Sequence, residues 1–432
     1  MQTARHCQEE RGAVVVRKML TGNAAAAWGA RLARIEYVPA FPITPQTEII
    51  ETLSSWFADG ELHGKFVTLD SEHSMITAAG AAATAGVRTF TATSSQGLIY
   101  GMEALYTVSG WRMPFVLVNV SRGLSSPITL GPDHNDVLAA RDSGFVQIHA
   151  ETCQEVFDSV LMAYRIAEDP RVSVPVLLNL DGFFLSFTRE PVEIPDKKTV
   201  DEFLPELKPH HPVIDGTQSV AQGVAVLDGT AYSYFRYQMH RAVENALQVH
   251  REAAEDFERL FGRRYGAVEE YRMEGAKIVL VMAGSFSTKG KAAVNRWREQ
   301  GHKVGLLRLR LIRPRPTEEL AQALSGRWAV GVIDQNISPG LGGILYQEVA
   351  AVLANVADRP RVVRSFIGGL GGKDISTAEF DRVLEALEER GTGQGSSEPE
   401  LLFTAGEWQQ VKKVLSVAGK TVQEKQESGT SS

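Results

Sequence analysis

Residues 66–93 read FVTLDSEHSMITAAGAAATAGVRTFTAT. The run FVTLD has the β-branched and aromatic character of a strand, HSMITAAGAAATAG reads as a helix rich in small residues, and TFTAT is a second strand. Strand, helix and strand at this spacing make one βαβ unit, whose two strands lie parallel. The same alternation extends in both directions, from Val14 to about Leu185, through the runs VVVRKML, YVPAF, PFVLVNV, FVQIHA and PVLLNL, with NAAAAWGARLARI as a further helix. A largely parallel sheet covered by helices on both faces is the expected first domain.

Beyond it, from Thr188 to about Tyr234, the chain is rich in proline and charge and follows neither period, as an ordered connector would. RYQMHRAVENALQVHREAAEDFERLFG then spaces apolar residues for a helix that packs one face on a neighbour. A second α/β unit starts at Lys277 with KIVLVMAG and continues through HKVGLLRLRLI, AVGVIDQN and RVVRSFIGG, with a helix after each of the first three runs. The expected division is residues 14–235 for the first domain with its connector, 236–275 for a helical linker, 276–390 for the second domain and 391–432 for a polar tail.

The 432 residues suffice for two or three domains, and a content of 44% hydrophobic and 22% charged residues is that of a soluble globular protein. The net charge of −7, with no Lys/Arg block, argues against nucleic acid as a partner. No apolar run reaches about 18 residues and MQTARHCQEERG lacks a secretory core, so the expected location is cytoplasmic, off the membrane. Two cysteines, Cys7 and Cys153, supply neither a disulfide framework nor the four thiolates of an iron–sulfur cluster.

Ligands of open α/β sheets bind at the carboxyl ends of the strands. Four clusters stand there: Pro42-Ile43-Thr44-Pro45, Ser71-Glu72-His73-Ser74, Ser94-Ser95-Gln96-Gly97 and Ser121-Arg122-Gly123-Leu124. Each also has a structural reading. Thr44 with Pro45, or Ser71 with Glu72, would suit a helix start; Ser94–Gly97 would suit a turn or an anion site; Arg122 needs an anion, either a ligand or a carboxylate of the fold. Asp133-His134-Asn135-Asp136 is contiguous rather than spaced to converge, which favours a loop network over metal ligands. The turns Gly340–Gly343 and Gly368–Gly372 match neither the dinucleotide fingerprint nor the P-loop.

Taken in order, GNAAAAWGA, PITPQTEI, SEHSMITAAGAAATAG, TATSSQGL, DHNDVLAARDSGF, DGFFLS, FRYQMHRA, GVIDQNISPGLGG and FIGGLGGKDIS resemble the α subunit of 2-oxoacid:ferredoxin oxidoreductases, most closely the pyruvate:ferredoxin oxidoreductase type, over about residues 18 to 385. The resemblance implies a pyrimidine-type, thiamine diphosphate-binding parallel-sheet domain followed by a transketolase C-terminal-like α/β domain. It implies that Glu72 is the catalytic carboxylate at the aminopyrimidine, that Thr44 and Arg122 bind the substrate, and that Pro42, Ile43, Glu72, Ser95 and Gln96 bind the cofactor. The chain has Asp-Gly pairs at Asp59, Asp181, Asp215 and Asp228 but no G-D-G, so the Mg2+ and diphosphate half is expected on a partner.

By the same resemblance, pyruvate is decarboxylated, coenzyme A takes the acyl group and electrons pass through [4Fe-4S] clusters to ferredoxin. The clusters would lie on partner subunits: β, γ and a ferredoxin-like δ. Phe187 stands where the family commonly has His, Phe41 where it has Tyr, and PITLGP replaces an aromatic-rich stretch. These departures leave open a bulkier or less polar 2-oxoacid, branched-chain or aryl such as phenylglyoxylate, and a non-catalytic scaffold is the remaining alternative.

Overall fold

The computed structural model describes residues 15–217, 219–389 and 398–417. Its first unit runs β1 (Val16–Thr21), α1 (Gly22–Leu32), β2 (Tyr37–Ala40), α2 (Thr47–Ala58), β3 (Lys65–Thr68), α3 (Glu72–Thr84), β4 (Phe90–Thr93), α4 (Gln96–Tyr100), α5 (Met102–Gly110), β5 (Val116–Ser121), α6 (Asn135–Ala139), β6 (Val146–His149), α7 (Cys153–Ala167) and β7 (Val176–Asp181). Then come β8 (Arg189–Ile194), α8 (Lys197–Phe203) and α9 (Gly229–Phe261). The second unit holds β9 (Val268–Tyr271), β10 (Ile278–Met282), α10 (Ser287–Glu299), β11 (Val304–Leu309), β12 (Leu311–Arg313), α11 (Thr317–Leu324), β13 (Ala329–Asp334), α12 (Ile344–Leu353), β14 (Val362–Ile367), α13 (Thr377–Glu389), β15 (Glu400–Leu401) and α14 (Ala405–Val417).

The central strands β4, β5, β7 and β6 are parallel, and β2 with its parallel neighbour β3 joins them through a bridge from Tyr37 to Thr89. All six residues of β5 and of β7 are buried, as strands covered on both faces require. α1 and α7 pack closely because Gly29 has no side chain: a β-carbon there would lie 2.8 Å from Cβ of Val160. In the second sheet the order is β15-β14-β13-β10-β11-β9, parallel except where β9 meets β11.

Four expectations change. VVVRKML, beginning at Val14 outside the described residues, forms β1, which leaves the parallel sheet and pairs antiparallel with β8. β8 lies in the stretch read as connector. Pro191, which hides the period there, is tolerated in a two-stranded ribbon because it gives up only one ladder hydrogen bond.

HKVGLLRLRLI is two strands rather than one. β11 pairs with β10 in the second sheet, and after Arg310 the chain crosses so that β12 pairs antiparallel with β6 of the first, Leu311 opposite Ile148. Arg310 is fully buried and bonds Glu155 and Ser159 of α7, which holds the crossing in place.

The linker boundary at 235/236 falls inside α9. Asp228 caps that helix, accepting from the backbone N–H of Thr230 and Ala231, and Gly262 ends it in the left-handed conformation. Its stripe Met239, Ala242, Ala246, Val249, Ala253 and Phe257 is buried, while β9, also assigned to the linker, belongs to the second sheet.

Part of the segment read as a tail is folded: Phe366 and Ile367 of β14 pair with Glu400 and Leu401, and α14 follows. Residues 391–397 and 418–432 of that segment, and Cys7, lie outside the described residues. Among the described residues no helix is long and apolar enough to cross a membrane.

Candidate active site

The carboxyl ends of β2, β3, β4 and β5 each deliver one of the four clusters to the same rim of the sheet. After β2, residues Phe41 to Gln46 form a turn in which the Gln46 amide donates to the Phe41 carbonyl at 2.9 Å, and Asn23 donates to the Pro45 carbonyl at 2.9 Å. The residue at the start of α2 is Gln46, which makes no side-chain cap bond. Thr44 therefore does not cap the helix: it stands exposed, and its hydroxyl makes no hydrogen bond among the described residues. Pro42 is exposed and Ile43 half-buried in the same turn.

After β3, Ser71 caps α3 by accepting from the Ser74 backbone N–H at 3.2 Å. Glu72, the first residue of the helix, is only 5% exposed, yet its carboxylate has no hydrogen-bond partner among the described residues. The side chain is largely covered while its carboxylate is left without a partner from the chain, and so is open to a group from outside it. Gly97 leaves the room: a β-carbon built there would lie 2.4 Å from Glu72 Oε1 and 2.6 Å from Thr93 Oγ1. The Thr93 hydroxyl is also buried without a partner. A carboxylate without a hydrogen-bond partner, an unsatisfied hydroxyl and a glycine packed directly against both thus meet at this rim, a set of polar groups suited to a ring that bears its own donors and acceptors.

After β5 comes Arg122, 8% exposed. Its Nη1 donates to the Thr44 carbonyl at 2.7 Å and its Nη2 to Gln96 Oε1 at 2.6 Å, while its Nε is buried and unpartnered. Burial lowers its pKa from the ordinary value, and Asp136 opposes this. Ser95 holds an unusual backbone conformation, φ 51° and ψ −123°, fixed by the Asp136 carboxylate, which accepts its N–H at 2.9 Å. The Ser95 side chain is fully buried, within 2.7 Å of Gln96 Oε1 and 3.0 Å of the Gly123 carbonyl. Gln96 Nε2 donates to Ser125 Oγ at 2.9 Å.

Of the residues singled out in the sequence, Thr44, Ser95, Gln96 and Arg122 thus form one bonded group, with Pro42 and Ile43 in its first turn. Glu72 faces Gly97, next to Gln96 in the chain. Thr93 carries no role in the sequence reading, and Gly97 enters it only as part of the Ser94–Gly97 turn or anion site; the signal for both was the place of TATSSQG at the end of a strand.

The Asp133–Asp136 stretch is an anchoring loop. Burial pushes the Asp136 carboxyl up to about 6, although Asn119 Nδ2 at 3.1 Å, Val137 N–H and Ser95 N–H all donate to it. His134 Nε2 pairs with Asp181 Oδ1 at 2.7 Å, and Asp181 also accepts from the Ser285 N–H and hydroxyl in the second unit. Burial would raise the Asp181 carboxyl, but His134 and these donors hold it down at about 2. Asp133 accepts from Gly371 N–H, and Gly372 N–H donates to the Pro132 carbonyl. The Gly368–Gly372 turn, which matches no nucleotide fingerprint, braces the segment that follows Arg122; at Gly371 and Gly372, φ values of 57° and 80° suit residues without a side chain.

Comparison with known proteins adds the following. Residues 28–255 match the family described as pyruvate flavodoxin/ferredoxin oxidoreductase, thiamine diphosphate-binding, and residues 276–380 match pyruvate:ferredoxin oxidoreductase core domain II. The pyruvate synthase subunit PorA of Pyrococcus furiosus is 41% identical over 92% of this chain and 100% of that one. The ketoisovalerate oxidoreductase subunit VorA of Pyrococcus horikoshii is 38% identical over 86% of this chain and 94% of that one. Among solved structures, a 2-oxoglutarate:ferredoxin oxidoreductase from Magnetococcus marinus, described with 2-oxoglutarate, coenzyme A and succinyl-CoA bound, aligns with a TM-score of 0.67 at 20% identity. That alignment covers 87% of this chain and 65% of the other, and it bears on the fold alone.

Proposed function

As the chain belongs to the pyruvate flavodoxin/ferredoxin oxidoreductase family, we propose that it is the α subunit holding the aminopyrimidine half of thiamine diphosphate in a multi-subunit enzyme. The reaction is the coenzyme A-dependent oxidative decarboxylation of pyruvate, reversible, with ferredoxin as electron acceptor. The observation that carries the reading is Glu72, 5% exposed at the start of α3, with no hydrogen-bond partner among the described residues and its Oε1 close against Gly97.

When bound, thiamine diphosphate supplies a nucleophilic carbon that attacks the 2-oxoacid ketone and lets CO2 depart. The residues of this chain prepare that step. Glu72 would hydrogen-bond ring nitrogen N1′ and so fix the orientation of the aminopyrimidine. Thr93 offers its hydroxyl to the same ring, and Pro42 and Ile43 form the wall beside it. Arg122 would bind the substrate carboxylate and Thr44 would offer its exposed hydroxyl to the substrate. A carboxylate held too firmly would resist loss as CO2, so two neutral oxygens on the guanidinium, with no carboxylate, suit a grip that loosens as charge departs.

The chain has no G-D-G, and its two cysteines fall short of a cluster's ligands. Mg2+, the diphosphate half and the [4Fe-4S] clusters therefore belong to β and ferredoxin-like δ subunits, with a γ subunit completing the complex. The test is reconstitution with those partners, following pyruvate- and coenzyme A-dependent reduction of ferredoxin. Glu72→Gln should abolish turnover in the assembled complex; full activity in that variant, or turnover by the wild-type chain alone, would refute the proposal. A branched-chain 2-oxoacid is the second reading, favoured by Phe187, exposed and stacked on Phe183 at a ring distance of 5.3 Å in the loop after β7. Initial rates on pyruvate and 2-oxoisovalerate separate the two.

A further inference from the structure

We propose that Gln96 is a positioning residue, which holds the Arg122 guanidinium in the orientation that receives the substrate carboxylate. This rests on the assignment of Arg122 as the carboxylate-binding residue. An arginine side chain has four rotatable bonds and loses much rotamer freedom when fixed, so a buried guanidinium needs anchors. Arg122 has two on its terminal nitrogens, the Thr44 carbonyl and Gln96 Oε1, and its Nε has no partner. Among the described residues no side-chain carboxylate reaches the guanidinium: Asp136, the nearest acid in the network, is bonded to the Arg122 backbone N–H at 3.3 Å. The cation is therefore oriented by dipoles and left unneutralised, which an incoming anion requires and a permanent ion pair would prevent.

Gln96 is itself held at both ends. Its Oε1 receives Arg122 and lies 2.7 Å from Ser95 Oγ, and its Nε2 donates to Ser125. Ser95 is locked by Asp136 in a conformation with positive φ, which aims the start of α4 at Arg122. Oε1 of the amide is filled by Arg122 and Ser95, and Nε2 gives one of its two N–H groups to Ser125. The guanidinium contact assigns Gln96 a positioning part in addition to the cofactor-binding role that the sequence reading gave it.

The experiment uses the assembled complex and three variants. Gln96→Met keeps the length and removes the hydrogen bonds; the KM for pyruvate should rise on the order of tenfold, with kcat changed less than about threefold. Gln96→Glu keeps the shape and pairs an anion with Arg122; the KM should rise further than in Gln96→Met with the Tm unchanged, because a neutralised guanidinium no longer attracts the substrate carboxylate, a signature that a merely structural role would not produce. Arg122→Met is the reference. If it raises the KM while Gln96→Met does not, the positioning role is overturned and the function stands. If Arg122→Met leaves the KM unchanged, the substrate assignment itself falls. A higher thiamine diphosphate requirement in Gln96→Met, with the pyruvate KM unchanged, would make Gln96 a cofactor contact and overturn the proposal.

Discussion

Adding one methyl group at Gly97 should cost the enzyme far more in turnover than it costs the chain in stability. A β-carbon there would lie 2.4 Å from Glu72 Oε1 and 2.6 Å from Thr93 Oγ1, roughly 1 Å inside ordinary contact with the first. Gly97 is the second residue of α4 and has no positive φ, so its backbone accepts alanine. On stability two effects oppose: alanine is favoured over glycine in a helix by about 1 kcal/mol, and crowding costs about 1–3 kcal/mol. Their sum leaves a loss of at most about 2 kcal/mol.

On activity nothing compensates, because Glu72 must turn away from the ring or the ring must move. A misplacement of about 1 Å costs on the order of a hundredfold in rate. The assay pairs thermal unfolding of the chain with the thiamine diphosphate requirement and kcat of the assembled complex. Gly110→Ala is the control, since a β-carbon at that exposed position meets nothing within 4 Å. Near-wild-type turnover by Gly97→Ala would show that the space beside Glu72 holds no ring.

Three further outcomes follow from the described contacts. Thr44→Val should cost less than about 0.5 kcal/mol in urea unfolding, because the hydroxyl caps nothing, yet raise the pyruvate KM; an equal loss of both would return Thr44 to a turn residue. The Asp136 carboxyl is higher in the fold, at about 6, than in the unfolded chain, so its favourable contribution is complete below about pH 4 and is lost as the pH rises through 6. Relative to wild type, Asp136→Asn should therefore gain up to roughly 3 kcal/mol between pH 4 and pH 7, read as the difference in Tm; a constant difference would contradict the shift. Arg310→Met removes a fully buried cation from Glu155 and Ser159, and chemical denaturation should show a loss of about 2–4 kcal/mol, softened because Arg308 still contacts Glu155. A loss below about 1 kcal/mol would mean that the network contributes little.

How far the site was legible depended on distance along the chain. Local reading places Glu72, Thr44 and Arg122 in clusters at strand ends, where ligands of a parallel sheet sit, and their individual roles come from the family resemblance alone. Thr93 escapes it, and Gly97 is seen only as a turn residue, because their part depends on what they lack, a hydrogen-bond partner and a side chain, and both absences become visible only when α3 is laid beside α4. Ser95 and Gln96 were found as a pair, but whether they face a cofactor or a neighbouring arginine depends on the turn between β2 and α2, fifty residues away. The parallel sheet was plain from period and spacing. The exchange of β1 for β8, and the split of HKVGLLRLRLI at Arg310, were not, because both depend on partners that the local pattern does not name.

The strand that crosses at Arg310 limits how this protein can be taken apart. β12 borders β6 in the first sheet although it belongs to the second half of the chain. A fragment ending before residue 277 would strip that border and leave Val146–His149, a fully buried strand, with an unpaired edge that invites aggregation. The two halves are thus poor candidates for separate expression or for exchange with those of a relative, and a cut that preserves solubility must keep Leu311–Arg313 with the first sheet. The same border opposes hinge opening between the halves, so any movement that admits substrate falls to the surface loops or to the neighbouring subunits.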